Sequence, residues 1–173
     1  MGRRSREKQQ RRSMAGSDAQ ARARFEDGVL RRTSAALPED AVLLPSPPAG
    51  LPRSSAVLEE LIAPFTEHLK QGTPLIVYRL IANAGMLAWN AMEATGGDVA
   101  KALAIVQHGG IDKPAAMPAL LDSVRTLCER KLRLFPDDHR IFLNADVTRL
   151  PSGGVHLVAM VQFPAHMVEG SAP

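Results

Sequence analysis

Aromatic residues make up only 4% of this 173-residue chain, and cysteine occurs once, as Cys128. The scarcity of rings leaves Leu, Val, Ile, Ala and Met to fill a core, and a hydrophobic share of 45% suffices for one. One thiol excludes an internal disulfide and any zinc site built from several cysteines, and it fits a reducing compartment. The basic start is not followed by the apolar stretch of a secretory signal. Glu7, Asp18, Glu26 and Asp27 speak against an organelle-targeting segment. A cytoplasmic location is therefore expected.

Motifs of catalysis are missing as well. The five histidines, His68, His108, His139, His156 and His166, show no metal-ligand spacing, and a metal site needs at least three converging ligands. No GxSxG elbow is present. The glycine pairs at 96–97, 109–110 and 153–154 belong to no phosphate-binding loop and read as helix stops and a hairpin turn. Cys128 falls on the apolar stripe of its helix, where a thiol is core rather than nucleophile. Asp137, Asp138 and His139 read as a solvated turn. No catalytic residue, metal or cofactor is expected. An enzyme would have to assemble its site from dispersed residues such as Arg79, Asn83, Asp138 and His139.

Charge is present but uneven. Residues 1–36 hold ten Lys/Arg and four Asp/Glu, a balance of +6, whereas residues 37–173 hold 11 and 14, a balance of −3. The basic character thus belongs to an arm and not to the folded body. The first dozen residues carry six basic side chains and no aliphatic residue beyond Met1, too little apolar area to offset the entropy of ordering. Residues 1–36 are read as a mostly disordered basic arm. Within it, Ser17–Arg32 is a weak helix pattern whose apolar stripe (Phe25, Val29, Leu30) is thin.

Five prolines between Leu37 and Ser55 make a semi-stiff linker over 37–55. A domain over 56–164 follows, with a tail at 165–173. Helical spacing places Val57, Leu58, Leu61, Ile62, Phe65 and Leu69 on one face of a helix from Ser55 to Gln71, which Pro64 should kink or split. Thr73-Pro74 opens a second helix over Leu75–Ala94, the most apolar stretch of the chain. A membrane span is the sharper alternative for it. The polar stripe, the flanking caps and the want of a second apolar stretch favour a helix buried on most sides. Asp98 caps a third helix, and Asp112 or Pro118 starts a fourth with Leu120, Leu121, Val124, Leu127 and Cys128 inward.

After Pro136 the period changes to two. Ile141, Leu143, Ala145 and Val147 alternate with Phe142, Asn144, Asp146 and Thr148, and Val155, Leu157, Ala159, Val161 and Phe163 repeat the pattern after Pro151-Ser152-Gly153-Gly154. The fold class is α+β, about four helices packed on a C-terminal two-stranded antiparallel hairpin. A lone hairpin has free edges that must be covered or paired.

Two groups of residues then carry the functional expectation. Arg79, Asn83 and Asn90 share one stripe of the second helix, as a pocket or interface or as its wet edge. Arg3, Arg4, Arg6, Lys8, Arg11 and Arg12 could neutralise phosphates, and with no interleaved aromatics they would contact only the nucleic-acid backbone. The preferred reading is a non-enzymatic protein-interaction or regulatory module, meeting a partner or a second copy through the hairpin edge or the Arg/Asn stripe. The alternative is a nucleic-acid-associated accessory protein anchored by its arm.

Overall fold

The structure, a computed structural model, describes residues 3–37, 50–109 and 117–163. Along the chain these form α1 (Arg3–Ala35), α2 (Ser54–Thr66), α3 (Leu75–Ala94), α4 (Val99–His108), α5 (Met117–Leu134), β1 (Ile141–Arg149) and β2 (Val155–Gln162). The α+β class and the C-terminal antiparallel hairpin are as expected, but the helices number five rather than about four. Most of the proline-rich linker (38–49), the tail at 165–173 and the helix start suggested at Asp112 lie outside the described residues.

The extra helix is the basic arm. Expected to be mostly disordered, it is helical from Arg3 to Ala35. Its alanines favour that state, and Asp27 pairs with Arg31 one turn on, at 2.6 Å. What holds its second half is tertiary. Val29 is fully buried and Thr33 nearly so. Thr33 accepts a hydrogen bond from the Asn144 amide at 3.0 Å, Glu26 meets His156 at 3.0 Å, and Asp18 accepts from the Ser152 backbone N–H at 3.0 Å. The thin stripe of Phe25 and Val29 is enough because it lands on a sheet face that needs only a narrow cover.

Strand pairing explains that face. Asn144 and Asp146 of β1 lie opposite Met160 and Val158 of β2, and their side chains share the side that α1 covers. On the other side Val147, Leu157, Ala145 and Ala159 join the core of α2–α5. The hairpin is therefore the middle of three layers. Its register shifts between Phe142 and Asn144, a bulge. Strict alternation would put Ile141 and Leu143 inward; the bulge instead turns Phe142 in, to 3% exposure and edge-on against Trp89 at 5.3 Å between ring centres. The turn closes with Leu150 N–H on Gly154 C=O and Gly153 N–H on Leu150 C=O, both 2.8 Å. Gly153 has φ +88° there, the left-handed residue that a three-residue hairpin loop demands.

The helical core is built around Trp89 and Met92 of α3, with Leu58 and Leu61 of α2 and Leu127 and Cys128 of α5. Gly85 lets α2 and α3 approach closely, since a Cβ there would lie 2.6 Å from Ile62 Cγ2 and 2.9 Å from Leu58 Cδ1. Pro64 neither splits nor ends α2 at once, and the helix stops at Thr66 instead of Gln71. A proline at 64 leaves the Glu60 carbonyl without its helical donor. Arg130 of α5 supplies one: Nη2 donates to Glu60 C=O at 2.7 Å and Nε to Leu61 C=O at 3.0 Å.

Candidate functional site

Helix α3 runs beside β1, and its polar residues are spent there. The Asn90 amide donates to Phe142 C=O at 2.8 Å and accepts from Phe142 N–H at 3.0 Å. Arg79 Nε donates to Asp146 Oδ1 at 2.9 Å and Nη2 reaches Val147 C=O at 3.4 Å, while Val147 N–H turns to Asp146 Oδ1 at 2.8 Å. In an antiparallel pair alternate residues turn both backbone groups outward. Phe142 and Val147 are such residues of β1, and α3 with Asp146 satisfies both. The edge expected to be open is closed at these two residues by the same side chains singled out for an interface, while the outward groups of Ala145 between them bond to no other described residue. On the β2 side the outward groups of Leu157, Ala159 and Val161 bond to no other described residue, and of these Leu157 is buried.

Asn83 is exposed, as is Arg79, but unlike Arg79 and Asn90 it makes no hydrogen bond to β1. Around it stand Ile76, Leu80 and Leu87, at 57%, 62% and 37% exposure. Residues 76, 80, 83 and 87 are spaced four, three and four apart and so form one row along the helix. The expectation of a helix buried on most sides missed this row. Its signal was in the sequence, as a second apolar repeat on a helix whose first repeat already fills the core. No helix among the described residues is long and apolar enough to cross a membrane.

In the turn before β1, Asp137 and His139 are exposed as expected, but Asp138 is not. Asp138 is buried and grips Arg140, which is fully buried: Oδ1 accepts from Nε at 2.8 Å, and Oδ2 lies 2.6 Å from Nη2 as an ion pair outside hydrogen-bonding alignment. Arg140 Nη1 also donates to Pro52 C=O at 3.1 Å, and the Arg140 carbonyl accepts from Trp89 Nε1 at 2.6 Å. His139, half exposed, meets Glu93 at 2.9 Å, and the buried Lys131 ammonium sits on the same carboxylate at 2.5 Å and over the Trp89 ring. These are ties between α3, α5 and β1. Arg79 and Asp138 lie toward opposite ends of β1, so the structure does not bring Arg79, Asn83, Asp138 and His139 together. Cys128 is buried against Ala88, and burial, with Glu129 nearby, pushes its thiol pKa up to about 11. A thiol so protonated is a poor nucleophile.

The hairpin also borders a concavity. Between α2, α3 and the hairpin lies a pocket of ≈ 150 Å³ lined by Glu59, Ile62, Thr66, Tyr78, Val147, Val155 and Leu157. Glu59 is exposed at its rim, yet burial of its carboxyl against the lining raises its pKa, with His156 and Arg22 acting in the opposite sense. No sequence signal marked Glu59, which looked like one polar residue on the wet face of α2.

The chain matches no family model, no curated protein and no solved structure. Function must therefore be argued from these surfaces. Among the described residues no three His, Cys, Asp or Glu side chains are grouped to hold a metal ion. Of the basic arm, Lys8, Arg11 and Arg12 are exposed on α1, and their spacing puts all three on one side of that helix.

Proposed function

We propose that the protein is a non-enzymatic interaction module that associates with a second copy of itself through the outward row of α3. The observation that carries this reading is the exposure of Ile76, Leu80 and Leu87 in one row around Asn83. Single exposed apolar residues are ordinary, but a contiguous row on one helix marks an interaction surface. A second copy suits it because the four-three-four spacing reads the same in both directions. A two-fold axis between Leu80 and Asn83 sets Ile76 of each copy against Leu87 of the other, the self-complementarity that a two-fold interface requires. No charge stands in the row, and the neighbouring Arg79 is tied to Asp146. A buried Asn is also a residue that fixes register between paired helices. Three large side chains fall short of the roughly 800 Å² per partner of a standard interface, so the dimer is weak and depends on concentration. This row replaces the hairpin edge as the preferred surface, because α3 and Asp146 engage Phe142 and Val147 of one edge and Leu157 of the other is buried. Sedimentation of the full chain from micromolar to millimolar concentration is the test. The expected result is a rising dimer fraction that Leu80→Glu abolishes; a monomer at every concentration would overturn the proposal.

A second reading, nucleic-acid association, draws on the placement of Lys8, Arg11 and Arg12. A helix holds such cations on one side, where they can follow a phosphate backbone. Replacing the three with Glu in the full chain should remove low-salt retention on bulk DNA or RNA. Retention unchanged by those substitutions sinks this reading.

A further inference from the structure

The pocket between α2 and the hairpin is separate from the α3 row, and its lining is of a different kind. Ile62, Val147, Val155 and Leu157 make its walls, and Glu59 and Tyr78 also line it, their carboxylate and hydroxyl having no hydrogen-bond partner among the described residues. Thr66, the remaining polar lining residue, already donates to Ala63 C=O at 3.3 Å. We propose that this pocket is a binding site for a small amine with an apolar body the size of one ring.

Size sets the body. A cavity of ≈ 150 Å³ with apolar walls is comparable to one that accommodates a benzene molecule. Charge sets the head group. Glu59 is the one carboxylate in the lining, so an anionic ligand is repelled, and an ammonium can donate charge-assisted hydrogen bonds to its oxygens. The groups that face Glu59 from the other elements are Arg22 of α1 and His156 of β2, and His156 is engaged with Glu26 at 3.0 Å. They do not offset its burial, because its pKa still lies above the ordinary value. A cation delivered from the pocket side supplies what those neighbours leave wanting. Tyr78, whose hydroxyl both donates and accepts, would take a second hydrogen of the same ammonium. Apolar walls with a few placed polar groups are the usual make-up of a small-molecule site.

Benzylamine, toluene and benzoate, titrated into the ¹⁵N-labelled full chain, test this directly. Benzylamine should shift the amides of Glu59, Tyr78 and Val155, toluene should shift them more weakly, and benzoate should leave them in place. Glu59→Gln should weaken benzylamine about tenfold, as the loss of one charge-assisted contact implies, and leave toluene unchanged. Val155→Phe should fill the pocket and abolish both. If that variant does not fold, Tyr78→Phe decides in its stead, with a loss for benzylamine and none for toluene. Equal binding of benzoate and benzylamine, indifference of benzylamine to Glu59→Gln, or no shift at the three amides overturns the proposal. None of these results depends on whether the chain dimerises through α3.

Discussion

On α3, Asn90 and the partly exposed Arg79 reach across to β1, whereas Ile76, Leu80 and Leu87 face away from it. Trp89 and Met92 fill the core as usual, but along these two edges of the helix polar residues meet protein and apolar ones meet water, and the reason lies in what each edge meets. Beside Asn90 runs a strand edge whose N–H and C=O groups need partners away from water. An amide side chain both donates and accepts, and so it can close the pair of groups that Phe142 turns outward. A leucine there would leave both unmet. On the far side no backbone asks for anything, and the apolar row stays open. Polarity along the β1 edge of α3 is thus assigned by the needs of the neighbouring strand, while its buried face stays apolar.

The comparison predicts where substitution is expensive. The largest effect belongs to Arg140, the most buried polar residue at the start of β1. Arg140→Ala leaves the Asp138 carboxylate buried and unpaired, and loss of one member of a buried pair costs about 3–5 kcal/mol. Chemical denaturation should find that loss; a change below about 1 kcal/mol would mean that the turn opens to water and that its polar groups do not need each other. Next comes Asn90→Leu, which conserves bulk and removes the amide. Two half-buried backbone groups of Phe142 then lack partners, a cost of about 1–3 kcal/mol. Hydrogen exchange should show Phe142 N–H losing protection while Val147 N–H, held by Asp146, keeps its own. Equal loss at both would show that the edge opens as one unit.

How much of this could be read in advance follows from the range of each interaction. The hairpin, its turn and the apolar faces of α2, α3 and α5 come from local periodicity and turn chemistry, and they were legible. The bulge at Phe142 was not, because it is set by the fit of that ring against Trp89. Nor was the order of α1. Its basic first half has no local reason to form a core, and its second half is held by Asn144, Asp146 and His156, more than a hundred residues on. Arg79 and Asn90 were noticed as a stripe, but their meaning depended on which element lay beside it. Arg130 answers a carbonyl freed by Pro64 some seventy residues earlier, a long-range repair with no local trace.

The smallest predicted effect on stability is the one that tests the outward side. Leu80 is 62% exposed, so Leu80→Gln should change the unfolding free energy of the monomer by no more than about 0.5 kcal/mol. The measurement must be made at low micromolar concentration, where a weak dimer is dissociated, because association stabilises the folded state by mass action. Repeated near millimolar concentration, the wild type should gain stability and the variant should not. A cost well above 1 kcal/mol at low concentration would place Leu80 inside the monomer's own packing, and the outward row would lose its central member. A small cost at low concentration that grows with concentration can arise only if Leu80 meets something that a single chain does not contain.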